Sequence, residues 1–442
     1  VMPRLSPVYD IQGNWAPVTK YLGFSSNRNE PSVIWRESDY TRKYLSLDGN
    51  VYAKMIFLED FTFNTTLGVY AGNGWNNSPS EANPWNYSGT TLDMLSVSAS
   101  QARSWNWSNT LNYLKSIGEH TVEVLLGFEA ASSRSESMAA SREEYFLTTP
   151  EYFVLSAGEG TQRNSGGYSE TASASYFGRF HYEFKNKYFF DGVVRHDGSS
   201  VFAENYRWGT FPSFAAGWII SQEDFMSSAG WIDLLKVRAS WGQSGNNRIG
   251  TYNGFSTFQT NINSSYYPID GSDNSISSGF ESRSFGNPNA RWETTTTTNF
   301  GLDITVFEKF SMGVDVWNKL TEDMLYPKAI PAVYGYASRP SVNIGDMENT
   351  GFDLSFDYKG NANDFNYTIN LVGSLYKNEL VKLSDKEDEV RYGGHDRDQY
   401  YTFAEKGTAY PEFFGYKVLS IFQTEQEAND YYTNELDPAY NK

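Results

Sequence analysis

Residues 176–221, YFGRFHYEFKNKYFFDGVVRHDGSSVFAENYRWGTFPSFAAGWIIS, constrain the fold more than any other stretch. Phe180, Tyr182 and Phe184 alternate with Arg179, His181, Glu183 and Lys185. Past a corner at Lys185-Asn186-Lys187, Tyr188, Phe190 and Val194 alternate with Asp191, Arg195 and Asp197. A polar segment, 198–207, leads to a third run in which Phe214, Ala216, Trp218 and Ile220 share a face. Successive strand side chains point to opposite faces, so period two means strands with one greasy and one wet face. A half-buried sheet in a soluble protein gives that alternation too. The order of connections (short turn, long loop, short turn) and the aromatics at the strand ends point instead to a membrane-spanning barrel.

The same alternation along the chain predicts about thirteen strands, the last near 413–422. Tight corners fall at Glu59-Asp60, Asn186-Lys187, Glu308-Lys309 and, within a turn over 359–363, Gly360-Asn361. Long loops are predicted over 71–102, 132–171, 198–207, 243–291, 321–342 and 380–406, with a helical turn at 141–146. Residues 1–43 are polar and irregular, read as loop and the end of a preceding strand. Every long loop falls on one side. A structureless loop as long as 243–291 is unusual in a compact soluble domain and ordinary at a barrel mouth.

Composition narrows the function. A net charge of −18 argues against nucleic acid, whose phosphates need a basic footprint. Aromatics at 17%, rich in Tyr and Trp, suit a boundary where one ring end is apolar and the other wet. The chain has no cysteine, so disulfides and thiolate metal sites are excluded. No run approaches the ~18 apolar residues of a membrane helix, so a membrane could be crossed only as a closed barrel. The opening VMPRLSPVYD carries no signal peptide, and a chain cut from a longer barrel is expected.

Few constellations suggest chemistry. His196, Asp197 and Ser199 hold the atoms of a nucleophilic triad, but neighbouring strand residues face opposite ways. The four histidines, His120, His181, His196 and His395, lack metal-ligand spacing. No cofactor is expected. Asp270 with Asp273, or the acidic run 385–389, offers oxygen ligands for calcium without an EF-hand's spacing, and a solvated loop is the favoured reading. The polar row is more informative: Arg179, Glu183, Lys185, Asp191, Arg195, Lys236, Arg238, Asp303, Asp315, Asp353 and Asp357 all face the lumen of a barrel by parity. Loop aromatics Trp75, Trp85, Tyr206, Trp208, Tyr266, Tyr267, Tyr334 and Tyr336 are candidates to stack on sugar rings or grip peptide side chains.

The words GRFHYEFKNKYFFDGVVRHDGSS, RWGTFPSFAAGW and LLKVRASWGQSGN resemble the central barrel signatures of SusC/RagA-type TonB-dependent outer-membrane transporters. NPNARWETTTTTNFGLDI, VNIGDMENTGFDLSF and EFFGYKVLSIFQTEQE follow in the family's order, covering the chain from about Tyr44 onward. The resemblance implies a barrel of twenty-two strands around an N-terminal plug; this chain, 1–442, would be barrel wall only. It also implies import of an oligosaccharide or oligopeptide, driven by TonB through the plug, under a SusD-type surface lipoprotein. The long loops would then be extracellular, in a bacterial outer membrane, and the chain would not be an enzyme. A wall without plug or remaining strands would not transport alone. A passive porin or adhesin barrel is the main rival. A secreted β-rich glycan-binding protein or glycosidase, the latter needing two carboxylates across a sugar, is another.

Overall fold

The computed structural model of the chain describes residues 41–80, 92–260, 265–383 and 391–434, apart from 270, 272–275, 329, 332, 334–336, 397–398, 416 and 419–420. The expected irregular segment 1–40 lies outside these residues. The strands begin with β1 (Thr41–Phe57), β2 (Phe61–Ser80), β3 (Met94–Ile117), β4 (His120–Glu143), β5 (Gln162–Phe184), β6 (Tyr188–Ser199), β7 (Trp208–Ile219) and β8 (Ile232–Asn246). Four short ones follow: β9 (Thr257–Gln259), β10 (Tyr267–Pro268), β11 (Ile276–Ser277) and β12 (Glu281–Ser284). Next come β13 (Glu293–Val306), β14 (Phe310–Glu322), β15 (Leu325–Pro327), β16 (Ser341–Asn343), β17 (Asp346–Ala362) and β18 (Phe365–Lys382). The series ends with β19 (Arg391–Asp396), β20 (Gln399–Ala404) and β21 (Glu412–Phe413). Twelve strands form one antiparallel meander in the order β1 to β8, β13, β14, β17, β18.

The register keeps the two faces apart. Phe184, Tyr188, Trp218, Val237, Leu302, Val314 and Leu354 are cross-strand partners in one unbroken row. Tyr182, Phe190, Ala216, Ala239, Phe300, Val316 and Phe352 form the next row on that face. The opposite face carries the row Arg238, Gly301, Asp315, Asp353 and Ser374. A one-residue slip would exchange the faces entirely, so this pattern fixes the register. Among the described residues no protein layer covers the greasy face: Phe300 is 62% and Leu126 56% exposed. Fully buried clusters are small and lie beyond it, Leu95–Tyr145–Phe153 and Leu380–Leu383–Ala404.

Two aromatic belts bound that face. Near the short turns, His120, Phe184, Tyr188 and Trp218 stack in sequence at 4.6, 6.1 and 6.2 Å. Further up the strands, Trp107, Phe128, Tyr176 and Trp208 follow one another at 5.9, 5.1 and 6.1 Å. On β4 to β7 the belts lie about eight to ten residues apart, roughly 26–33 Å of strand.

The hairpin tips step along the strands. Counted from the row through Phe184 and Leu354, the β5–β6 tip lies about two residues away, β13–β14 about six and β17–β18 about nine. From the β1–β2 tip to the β17–β18 tip the step is roughly 38 Å along the strands over about 48 Å across them. Tips lying in one plane therefore require strands leaning by about 40°, within the 35–45° of membrane-spanning barrels. At that lean the belts stand about 20–25 Å apart, close to the ~25 Å apolar band of such barrels.

The strands reach beyond the expected boundaries. Most of 71–102 and 132–171 is sheet, not loop: β2 runs to Ser80, β3 starts at Met94, β4 runs to Glu143 and β5 starts at Gln162. These ends are rich in Ser, Ala, Gly and Asn on both faces, so backbone pairing proceeds with no apolar stripe to announce it. The helical turn at 141–146 is instead a strand end, with Glu144 left-handed at φ 61°. The β17–β18 turn lies at Asn363 (φ 53°), because Gly360 and Asn361 still pair with Tyr367 and Asn366. The segments 243–291 and 380–406 hold short hairpins, β9 with β12, β10 with β11 and β19 with β20. The thirteenth strand is not part of the sheet. Among the described residues near 413–422, β21 alone is a strand, paired with β20 in a separate three-stranded sheet.

Candidate functional site

The polar face is built from cross-strand ion pairs. On β8, Arg238 lies across its neighbours: Nη2 is 2.6 Å from Asp315 Oδ2 and Nε is 3.1 Å from Asp303 Oδ2. Asn299 donates to Asp315 Oδ1 at 2.8 Å. Gly301 makes this possible, since a Cβ there would stand 2.5 Å from Arg238 Cζ and 2.8 Å from Cγ. On β5 and β6, Arg179 donates through Nε and Nη2 to Asp191 Oδ1 at 3.0 and 2.6 Å, and His181 Nδ1 lies 3.0 Å from the same oxygen. Glu123 on β4 is 3.7 Å from Arg179. Arg195 bridges Asp197 and Glu129 at 2.7 and 2.9 Å, its guanidinium 5.1 Å from the centre of the Phe177 ring. Lys236 lies 5.3 Å from the Phe189 ring centre. Asp353 accepts from Trp317 Nε1 at 2.9 Å and from Ser374 Oγ at 2.7 Å.

All nine principal polar candidates, with Asp357, therefore share one face; Glu183 sits on it through its pairing with Phe189 and Thr121. Lys185 instead occupies the turn, left-handed at φ 56°. Glu123, Glu129 and Trp317 belong to the same constellation. Their parity is readable from the sequence, but nothing in it shows which of many polar neighbours close the pairs.

The aromatic candidates do not converge. Trp75 lies on β2, on the same face as Leu67, and Trp208 belongs to the upper belt, its ring 4.8 Å from His196. Tyr206 ends the 3₁₀ turn Glu204–Tyr206, and Tyr266 and Tyr267 lie at the β10 hairpin. Trp85, Tyr334 and Tyr336 lie outside the described residues, as do Asp270, Asp273 and 385–389. The triad atoms have other partners: His196 Nδ1 contacts Thr210 Oγ1 at 2.8 Å, Asp197 pairs with Arg195, and Asn247 donates to Ser199 Oγ at 2.9 Å.

Each end of the sheet has its own fastening. At the short turns, Glu223 accepts from Tyr188 Oη at 2.6 Å and Trp218 Nε1 at 3.0 Å, with Lys187 at 3.4 Å. The Tyr188 hydrogen bond, then that of Trp218, holds its carboxyl below the usual range. At the long-loop end, Arg291 forks onto Asp323 at 2.9 and 2.8 Å, which raises the guanidinium above its ordinary value. Asn253 and Asn287 both donate to the Ser341 carbonyl there, at 3.1 and 2.9 Å. Glu223 lies in a connector without periodicity, which is why the alternation does not reveal it.

An amphipathic meander with belted strands, stepped hairpin tips, short turns at one end and long connections at the other defines a class: the chain belongs to the TonB-dependent receptor family, matching "TonB dependent receptor-like, beta-barrel" over residues 3–441. Proteins of this family are outer-membrane β-barrels that act as transporters, not enzymes. The chain is similar to the TonB-dependent receptor SusC of Bacteroides thetaiotaomicron, 28% identical over 89% of this chain and 39% of SusC. It is 30% identical to TonB-dependent receptor P3 of Formosa agariphila, over 89% of this chain and 39% of that protein. The RagAB peptide importer in its closed-closed state superposes with a TM-score of 0.78 at 27% identity, over 93% of this chain and 44% of that one. The chain thus spans about two fifths of the curated relatives it matches.

Proposed function

We propose that this chain is the wall of a SusC/RagA-type importer that carries a bulky oligomeric nutrient, glycan or peptide, across the outer membrane. The observation that carries it is the split of one tilted sheet into a belted apolar face and a face of paired charges. The apolar face is the lipid face. The polar face lines the lumen, where Arg179, Arg195, Arg238 and their carboxylates meet water and a plug. β1 and β18, the outermost strands of the sheet among the described residues, pair along their outer edges with further strands of a closed barrel, since hydrocarbon leaves no unpaired backbone group satisfied. The long-connection end faces outward, beneath a SusD-type lipoprotein, and TonB supplies energy through the plug. Likeness to a peptide importer supports the peptide class, and the glycan class rests on the family resemblance.

Deletion of the gene, followed by growth on single glycans or peptides as carbon source, tests the reading. Loss of one class of uptake, restored by the full-length protein and abolished without TonB, is expected. Uptake unaffected by TonB loss would return the chain to the porin reading.

A further inference from the structure

Above the upper belt, the greasy face changes character. Arg103 sits two residues beyond Trp105 on the same face of β3, roughly 7 Å along the strand. Its direct cross-strand partner is Arg134 on β4. Like charges placed opposite one another in an antiparallel pair are destabilising. Arg134 is answered by Glu136 at 2.6 Å and Glu170 at 3.5 Å, and lies 5.2 Å from the centre of the Tyr168 ring. Arg103 is exposed and has no acidic partner among the described residues. A cavity of about 260 Å³ opens between Gln101, Arg103, Arg134 and Glu136. Next to it, a groove of about 720 Å³ is walled by Tyr168 and Trp75. These rings are 62% and 51% exposed. They stand on rows roughly 13 and 20 Å above Trp105.

We infer that this shelf binds the headgroup of a phosphorylated glycolipid of the outer leaflet. Arg103 holds a phosphate at headgroup height, while Arg134 stays paired with Glu136 and Glu170. Tyr168 and Trp75 stack the sugars above, and Gln101 supplies an amide between them. Height and chemistry agree: a cation four residues above Trp107 of the upper belt, then amide and exposed rings, in the order phosphate then sugar. The inference rests on the apolar face being the lipid face.

The test uses the full-length protein in phosphatidylcholine nanodiscs with or without rough lipopolysaccharide, reading the glycolipid retained after purification by native mass spectrometry. Wild type should retain it, and Arg103→Ala or Tyr168→Ala should lower retention about tenfold. Arg103→Lys should keep an intermediate amount, and millimolar inorganic phosphate should not displace the lipid. Equal retention by wild type and Arg103→Ala, or of a dephosphorylated glycolipid, overturns the site. A spin label at an introduced cysteine 302 separates the two readings. If it does not report hydrocarbon, the lipid face itself is wrong; if it does and retention is unchanged, only the headgroup site fails.

Discussion

Strand β5 passes through two environments that share one backbone geometry. From Tyr176 to Phe184 one face carries Tyr176, Phe180, Tyr182 and Phe184 with Gly178 between them, and the other carries Arg179, His181 and Glu183 beside Phe177. From Gln162 to Ser175 it reads QRNSGGYSETASAS, and neither face is apolar, yet pairing with β4 continues to Gln162. Hydrogen bonding is the same in both halves; the surroundings of the side chains differ. At belt height one face must satisfy hydrocarbon, so sequence is constrained every second residue. Above the belt both faces meet water, and almost any small polar residue will do.

That contrast can be broken by substitution. Leu302→Arg or Val314→Arg should cost about 2–4 kcal/mol in reversible folding into bilayers, because the charge enters hydrocarbon. Gly301→Ala should come next, at about 1–3 kcal/mol, since the new methyl displaces Arg238 from its two carboxylates. An Arg238→Met background should remove most of that cost, and full additivity would show that the glycine serves something else.

Glu223→Gln sharpens the contrast at the short-turn end. The Glu223 carboxyl sits below its unfolded value, so its contribution is complete above the unfolded pKa and is lost as pH falls through the lower folded one. Trp218 emission should therefore change on acidification below about pH 4 in the wild type and stay flat in the variant. The smallest effect belongs to Met138→Arg. It lies on the same face as Leu126 but above the belt and should shift stability by no more than about 0.5 kcal/mol. A cost there equal to that of Leu302→Arg would erase the difference between the two halves.

Legibility follows the same division. Twelve of the strands, three of the four tight corners and the shared face of Arg179, Arg238, Asp303 and Asp315 follow from period two alone. The upper halves of β2 to β5 do not, because a strand wet on both sides imposes no period. The hairpins within 257–284 are two to four residues a side, too short for a pattern. Within the site, parity tells which residues share a face but not which close a pair. Arg238 reaches both Asp303 and Asp315 because Gly301 is empty between them, and that depends on shape across strands.

The stepping of the hairpin tips also sets a calibre. A strand standing upright occupies about 4.8 Å of circumference, and one leaning by about 40° occupies roughly 6.3 Å. A ring of about twenty-two upright strands would measure roughly 34 Å across its backbone, leaving about 24 Å between opposing side chains. The same ring at the lean that coplanar tips require widens to about 44 Å, with some 34 Å clear. A compact domain of about 100 residues, with a radius of gyration near 13 Å, is roughly that wide. The offset between neighbouring turns, a matter of a few residues per hairpin, thus decides whether such a tube could house a stopper at all.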